Sequence, residues 1–334
     1  MKQTILITGG AGYLGSILTR ELLEAGFRVV VADDLLFGGE SLLGVWGQPF
    51  FRFIRVNITD FSAWQKFFET EFCYGIVHLA AIVGDPACAK QPELTRKVNL
   101  EGLRMLLELA RQHGVERFVF ASTCSNYGKM ADVNAYMTEE SNLAPVSLYA
   151  ELKVAAEKLL LSEKDPVSIF CPTSLRFATL YGVSPRMRFD LTVNEFTKEL
   201  ALGRELTVFG EQFWRPYCHV SDCARAICLV LESERKKVAD EVFNVGETKE
   251  NYTKTMLVSE LKTFFPQLKV KYLPKYEDSR DYRVSFEKIK KQLGFFTSKT
   301  VKDGIREIKT VLTEGIISDP DSRKYYNVYR PFAK

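Results

Sequence analysis

Three glycines spaced three apart constrain the fold of this chain more than any other feature. Gly9, Gly12 and Gly15 lie in Thr8-Gly9-Gly10-Ala11-Gly12-Tyr13-Leu14-Gly15. Before them comes a short apolar run, Thr4-Ile5-Leu6-Ile7, and after them Ser16 to Ala25 carries helical periodicity. A strand that ends in glycines and opens a helix lets the backbone approach a pyrophosphate. The helix N-terminus adds oriented N–H donors and a partial positive charge. The spacing is not the commoner G-x-G-x-x-G. A second strand, expected over Phe27 to Val31, leads to Asp33-Asp34. An acid at that place accepts hydrogen bonds from both adenosine ribose hydroxyls and repels a 2′-phosphate. No arginine follows it closely in sequence, so NAD is favoured over NADP. Gly9, Gly12, Tyr13, Leu14, Gly15, Asp33 and Asp34 are the expected cofactor-binding residues here. The bland alternative, a glycine turn beside a solvated acidic pair, does not explain why strand, glycines, helix, strand and acid come in this order.

Length and composition bound the rest. With 334 residues, 46% of them hydrophobic, the chain can bury one large core or two modest ones. The net charge of +3, without a long run of lysine and arginine, argues against a nucleic-acid partner. The sequence passes from Met1-Lys2-Gln3 straight into a strand, so no signal peptide is expected. No apolar stretch reaches the ~20 residues that span a bilayer, so no membrane partner is expected either. Seven cysteines, an odd number without a Cys-x-x-Cys pair, suit reduced thiols and a cytoplasmic location. Three histidines, none at ligand spacing, leave no metal site expected.

Further strand-like runs are Phe53 to Val56, Gly75 to Leu79, Arg117 to Phe120 and Val167 to Phe170. Helical patterns lie at about 61–70, 92–113 and 148–163. This alternation predicts an α/β fold, a doubly wound parallel sheet with ligands beyond the carboxyl ends of its strands. The sheet is expected over residues 1–177. About 218–246 is expected to return to it, through a helix from Val220 to Leu231 and a strand from Glu241 to Val245. A smaller, interleaved α/β substrate domain would occupy 178–334. A further helix pattern lies near Phe286 to Leu293, and the tail from Ser318 shows no clear period. His78, inside an apolar strand, reads as a core histidine.

Tyr149 and Lys153 are four apart on an expected helix, hence on one face, a turn apart. An ammonium beside a phenol favours phenolate and lowers the tyrosine pKa from its usual value near ~10, towards the range of an acid/base at neutral pH. The hydroxyl of Thr123, at a strand end in Ala121-Ser122-Thr123-Cys124-Ser125-Asn126-Tyr127-Gly128, can hold the reacting oxygen. Tyr-x-x-x-Lys alone is common on helix surfaces. Its position downstream of a dinucleotide fingerprint gives it meaning.

The chain resembles the extended short-chain dehydrogenases/reductases that act on nucleotide sugars, the Rossmann-type epimerase/dehydratase group of UDP-glucose 4-epimerase. The likeness rests on the glycine stretch, His78-Leu79-Ala80-Ala81, Asn99-Leu100-Glu101-Gly102, Ser122-Thr123 before Tyr127-Gly128, and Tyr149 with Lys153. Later matches are Arg176-Phe177, Leu180-Tyr181-Gly182, Val208-Phe209-Gly210, Arg215 to Asp222, and Phe243-Asn244-Val245-Gly246. The resemblance implies NAD as cofactor and a nucleoside diphosphate sugar as substrate. Tyr149 would be the acid/base, Lys153 would tune it and hold the nicotinamide ribose, and Thr123 would replace the usual serine. Asn57 and Ile58 would flank adenine, and Leu79, Ala80 and Ala81 would line the dinucleotide channel with Asn99 nearby. Asn194, Arg215 and Arg280 would grip the sugar nucleotide, with Thr179 and Asp85 also on the substrate side. The helices at 92–113 and 148–163 resemble those that pair two subunits in this family, so a homodimer is expected.

Departures from the pattern narrow the reaction. Related 4,6-dehydratases carry Asp-Glu directly after the threonine. Cys124 and Ser125 stand there instead. Elimination of water needs an acid on the leaving hydroxyl and a base at the neighbouring carbon, so dehydration is disfavoured. Decarboxylases usually keep a glutamate where Ser125 stands. An untuned Cys124 is mostly neutral near pH 7 and reads as packing. Two enzyme readings survive: an epimerase that removes and returns a hydride with bound NAD, and a ketoreductase that consumes external NADH or NADPH. Asp33 without a basic neighbour favours the first. A dinucleotide sensor without catalysis would be expected to lack the tyrosine or the lysine. Asp85 and Cys88, in Gly84-Asp85-Pro86-Ala87-Cys88, are unusual for 4-epimerases and are expected to shape the sugar pocket. Arg186, Arg188 and Arg283 would add positive charge there, or be solvated.

Overall fold

In the computed structural model the described residues are 3–130, 132, 135–162, 168–274 and 280–327. Strands β1 (Thr4–Thr8), β2 (Arg28–Asp33), β3 (Phe51–Arg55), β4 (Gly75–His78), β5 (Arg117–Thr123) and β6 (Cys171–Phe177) build most of one sheet. Two short strands, β7 (Thr179–Tyr181) and β8 (Leu206–Phe209), and β9 (Trp214–His219) follow outside it, and β10 (Glu241–Val245) returns to it. The seven-stranded order is β10-β6-β5-β4-β1-β2-β3, parallel throughout. β1 is buried along its whole length. A parallel strand covered by helices on both faces needs the unbroken apolar run that Ile5-Leu6-Ile7 provides. The strand order reverses between β1 and β4, and a ligand crevice opens at such a switch point.

The helices are α1 (Gly15–Glu24), α2 (Phe61–Thr70), α3 (Asp85–Lys90), α4 (Pro92–Arg96), α5 (Gly102–Gln112), α6 (Leu148–Leu161), α7 (Thr192–Ala201) and α8 (Val220–Glu232), with further helices beyond. One apolar cluster joins α1, β1, β2 and α8 on one face of the sheet. A second joins Trp64, Phe67, Leu103, Leu106, Phe118 and Phe120 on the other.

Two expectations shift. The helix expected over 92–113 is α4 and α5 joined by a π-helical turn at Lys97–Glu101. The strand expected over Val167 to Phe170 lies instead at Cys171–Phe177. Val167 is outside the described residues. Cys-Pro-Thr-Ser-Leu-Arg-Phe looks too polar for a buried strand, yet every residue is buried. Its polar side chains have partners: Thr173 donates to the Val238 carbonyl at 2.7 Å, and Arg176 meets Glu157. Pro172 stands near the strand start, where the missing N–H disturbs pairing least.

Beyond the main sheet, β7 and β9 join β11 (Asn251–Thr253), and β8 pairs with β12 (Val270–Leu273). These pack with α7 and the helix Val301–Thr313 around Tyr181, Phe196, Leu206, Tyr217 and Ile305.

Candidate active site

The glycine loop follows β1 and lies between the ends of β2 and β4. Gly9 takes φ +76°, and a Cβ there would meet the Ala80 backbone nitrogen at 2.7 Å. Glycine is therefore required on steric grounds. A Cβ on Gly12 would meet nothing within 4 Å except the Gly9 carbonyl oxygen at 3.1 Å, so that glycine leaves open space over the helix N-terminus. Gly15 opens α1, with Leu14 at its cap. Asp33 braces the loop: its carboxylate accepts from Ala11 N at 3.0 Å and from Leu35 N at 2.8 Å. Burial raises its pKa, against the pull of those two amides.

Asp34 accepts from Leu36 N and from Asn57 Nδ2, each at 3.2 Å. A cleft of about 380 Å³ is lined by Asp34, Arg55, Val56, Asn57, Asp60 and Ala63. Ile58 is buried beside it in the second core cluster. Arg55 has no sequence proximity to Asp34. Pairing of β2 with β3 sets Asp33 opposite Arg55, and strand register is the signal that linear reading lacked.

At the end of β4, Leu79 N donates to the Thr8 carbonyl at 3.0 Å, and Ala80 N to Thr8 Oγ1 at 3.4 Å. Ala81 is half-buried. Asn99 sits in the π turn, a frequent place for functional side chains, and its amide grips both Ile82 N (2.8 Å) and the Ile82 carbonyl (2.9 Å). That two-point clamp fixes the channel-lining segment. His78 is 2% exposed and bonded to Thr8 Oγ1 at 2.8 Å, and burial lowers its pKa to about 3.

Residues from the second half complete the loop's surroundings. The Tyr13 hydroxyl donates to the Gly182 carbonyl at 2.6 Å, and Ser184 Oγ donates to the Tyr13 carbonyl at 2.7 Å. Arg186 is 6% exposed, with its guanidinium 4.3 Å from the centre of the Phe37 ring. Its Nε and Nη2 are buried without a hydrogen-bond partner. Burial and neighbouring Arg188 pull its pKa down to about 10, while Asp33 opposes them. A buried cation with two unanswered donors, beside a helix N-terminus cleared of side chains, fits an anionic group. These residues therefore fit the diphosphate of a dinucleotide.

The chemistry-bearing residues gather at the end of β5. Thr123 Oγ1 accepts from Ser125 N at 3.1 Å. α6 starts at Ser147, whose Oγ accepts from Ala150 N at 3.3 Å, so Tyr149 comes in its first turn. Lys153, 5% exposed, donates from Nζ to the Ala121 carbonyl at 2.6 Å. Its Nζ stands 5.9 Å from the centre of the Tyr149 ring. The expected lowering of the phenol pKa is not what this arrangement gives. Burial pushes Tyr149 above its usual 10, with Arg188 pulling it down and Asp85 pushing it up. Burial likewise lowers Lys153, to about 8. Desolvation is the largest influence on both groups, and the ammonium is engaged by a carbonyl rather than by the phenol.

On the substrate side, Asp85 pairs with Arg280 at 2.9 Å and accepts from Ser147 Oγ at 2.8 Å. Tyr282, two residues after Arg280, points its hydroxyl at Ser125 Oγ (3.3 Å) and has the Arg215 guanidinium 5.3 Å from its ring centre. Thr179 is half-buried at the start of β7. Asn194 is a correction. It is fully buried. Its Oδ1 accepts from Gly182 N at 2.9 Å, while Nδ2 donates to the Arg188 carbonyl at 2.8 Å and the Tyr13 hydroxyl at 3.1 Å. Its amide holds the segment over the glycine loop and is not presented to a sugar nucleotide. The three further arginines also move. Arg186 belongs with Asp33 and Phe37, Arg188 pairs with Asp190 at 2.9 Å, and Arg283 lies between the rings of Tyr136 and Trp214. Cys124 and Cys88 are buried, and burial raises both thiols, Cys88 to about 11.

Sequence reasoning missed Ser125, Ser147, Tyr282 and Arg55 as site neighbours, and the Glu157–Arg176 pair behind the site. In that pair Arg176 donates to Glu157 at 2.7 Å with both side chains buried. Among the described residues, no helix is long and apolar enough to cross a membrane.

Known proteins share this fold. The chain is 32% identical over 253 residues to the uncharacterized UDP-glucose epimerase YtcB of Bacillus subtilis, covering 72% of this chain and 76% of the relative. The solved UDP-glucose 4-epimerase of Thermotoga maritima, in a structure with UDP-glucose, superposes with a TM-score of 0.82 at 27% identity, over 94% of this chain and 100% of that one. The Thermus thermophilus UDP-glucose 4-epimerase complexed with NAD gives 0.80 at 28% identity, over 93% and 99%. The model of the NAD dependent epimerase/dehydratase family matches residues 5–246. By that match and by its fold, the chain belongs to the NAD dependent epimerase/dehydratase family and is an enzyme that uses NAD.

Proposed function

We propose that the protein is a nucleotide-sugar epimerase that oxidises one sugar carbon and reduces it again on the other face. The observation that carries the reading is the pairing of Tyr149 and Lys153 with a strand end that has no carboxylate after Thr123. Cys124 is buried with its Sγ on the Arg176 carbonyl at 3.2 Å, and Ser125 faces Tyr282. A hydroxyl proton can be moved there, but Cys124 and Ser125 do not supply the acid and base that expel water.

Gly9, Gly12, Tyr13, Leu14 and Gly15 would hold the dinucleotide through backbone groups, with Arg186 answering its phosphates. Asp33 and Asp34 would face the adenosine ribose, Asn57 and Ile58 the adenine, and Leu79, Ala80 and Ala81 the channel. Asn99 fixes that channel wall. When bound, NAD supplies the site that accepts and returns the hydride. As phenolate, Tyr149 Oη would take the proton of the sugar hydroxyl while its carbon is oxidised, and as the resulting phenol it would return that proton while the carbon is reduced. The positive charge of Arg188 favours the phenolate, and burial, the larger influence, favours the neutral phenol. Thr123 would position the reacting oxygen. Arg215 and Arg280 would bind the diphosphate, since a planar guanidinium meets phosphate oxygens in pairs. Thr179 and Asp85 border the sugar. The reading includes a homodimer through α5 and α6, which sedimentation velocity tests; a monomer at micromolar concentration overturns that part.

A ketoreductase would use the same Tyr149, Lys153 and Thr123. Epimerisation is favoured because Tyr13, Ser16 and Ser184 tie the 182–188 segment over the glycine loop, which suits a cofactor retained between turnovers. The experiment is to denature freshly purified protein and count the released dinucleotide. Near-stoichiometric NAD, followed by isomerisation of a UDP-, dTDP-, GDP- or CDP-sugar without added cofactor, is the expected result. An empty site and turnover of 4-keto sugars with added NADH or NADPH would replace the reading with the ketoreductase.

A further inference from the structure

Asp85 joins three segments that are far apart in sequence. It opens α3 directly after Gly84, whose φ is +100°. One carboxylate oxygen accepts from Ser147, the residue that caps the Tyr149 helix. The other lies 2.9 Å from Arg280 Nη1. The inner face of α3, Ala87 and Cys88, packs with Ile82 against Leu148 and Tyr149. The Asp85 carboxylate is therefore directed at Ser147 and Arg280.

We infer that Asp85 is an internal stand-in for the substrate's diphosphate: it holds Arg280 at the mouth of the site until the diphosphate of an arriving nucleotide displaces it. The inference rests on the nucleotide-sugar reading above. The two side chains are about a third exposed, 35% for Arg280 and 29% for Asp85, and ion pairs at that exposure are weak. A diphosphate offers more charge and several acceptor oxygens to a planar guanidinium. Arg215, stacked against Tyr282 two residues beyond Arg280, supplies a second cation for the same group. The exchange keeps Arg280 oriented before binding. It also makes nucleotide affinity a competition that the α3 segment, packed beside Tyr149, takes part in.

The test is calorimetric titration of UDP, dTDP, GDP and CDP into the NAD-loaded wild type, D85N, R280M and the double variant. For the nucleotide that binds, D85N should tighten binding about threefold, the weight of a partly exposed pair. R280M should weaken it by about tenfold or more. In the R280M background, Asp85→Asn should no longer tighten binding. The matching monophosphate, lacking the second phosphate, should respond less to Asp85→Asn. D85S gives a second removal of the carboxylate that keeps a polar group at the start of α3, should D85N fold poorly. Unchanged or weaker binding by D85N and D85S, or equal tightening with Arg280 absent, overturns the stand-in while leaving the nucleotide-sugar reading intact. Failure of all four diphosphates to bind the wild type overturns both.

Discussion

Lys153 and Ala121 join α6 to the sheet: the ammonium of one donates to the carbonyl of the other at 2.6 Å, 4.6 Å from the centre of the Phe120 ring. Burial lowers the lysine from its usual 10.5 to about 8. Between those values the unfolded chain binds more protons than the folded one, so stability rises with pH. Relative to Lys153→Met, the wild type should gain up to about 3 kcal/mol between pH 8 and 10.5. Below pH 8 the difference should be flat. Denaturant titrations of both proteins across that window measure it, and a difference that shrinks with rising pH would contradict the burial argument.

Removing the Tyr149 hydroxyl should separate chemistry from cofactor binding. Tyr149→Phe is expected to lower kcat by roughly 10²–10⁴-fold, the usual weight of a positioned acid/base. Its NAD content should match the wild type, because the loop that holds the dinucleotide does not depend on the phenol. Steady-state rates together with the absorbance of released NAD decide the matter.

Behind the site, Glu157 and Arg176 form a buried pair at 2.7 Å, extended by Asn126 and the Tyr127 hydroxyl. Removing one partner strands the other charge in the core. Glu157→Gln or Arg176→Met should each cost about 3–5 kcal/mol of stability. Replacing both together should cost less than the sum of the two. Urea unfolding of the four proteins completes the cycle.

Asp34, rather than Asp33, should control discrimination against NADP. The Asp33 carboxylate is held by the Ala11 and Leu35 amides at 3.0 and 2.8 Å, while Asp34 is held by longer bonds, 3.2 Å each to Leu36 N and Asn57 Nδ2, and shares its cleft with Arg55. Asp34→Ser removes a repelling charge and leaves a cation in place. It should improve NADP binding relative to NAD by about tenfold, a shift of about 1.4 kcal/mol. Competition between the two cofactors at the refilled site measures the ratio.

The glycine loop, the alternation of strands and helices, and the Tyr149–Lys153 spacing were legible because each is a local pattern. Gly9 needs its positive φ whatever lies elsewhere, and two side chains four apart on a helix share a face. Arg55 and Arg186 were not legible near the acids of β2. One arrives by register between strands and the other by a crossing from the second half. Asn194 was misread because residue type and position do not reveal which way an amide turns. β6 was displaced because its polar residues find partners only after Glu157 and Val238 have packed against it. The phenol's pKa was misjudged for a related reason: spacing shows that Lys153 is near, but not that the Ala121 carbonyl engages its charge.

The Tyr13–Gly182 bond has a consequence for how the protein is made. A chain growing from the ribosome exposes its glycine loop long before Gly182 and Arg186 exist, and the edge strand β10 later still. Contacts between such distant positions form late, since the intervening loop must close first. The nascent chain therefore presents its glycine loop before the buried Arg186 guanidinium is in place. On the proposed reading, cofactor capture then waits for the segment that carries Arg186, and a chain stalled before that residue lacks the guanidinium.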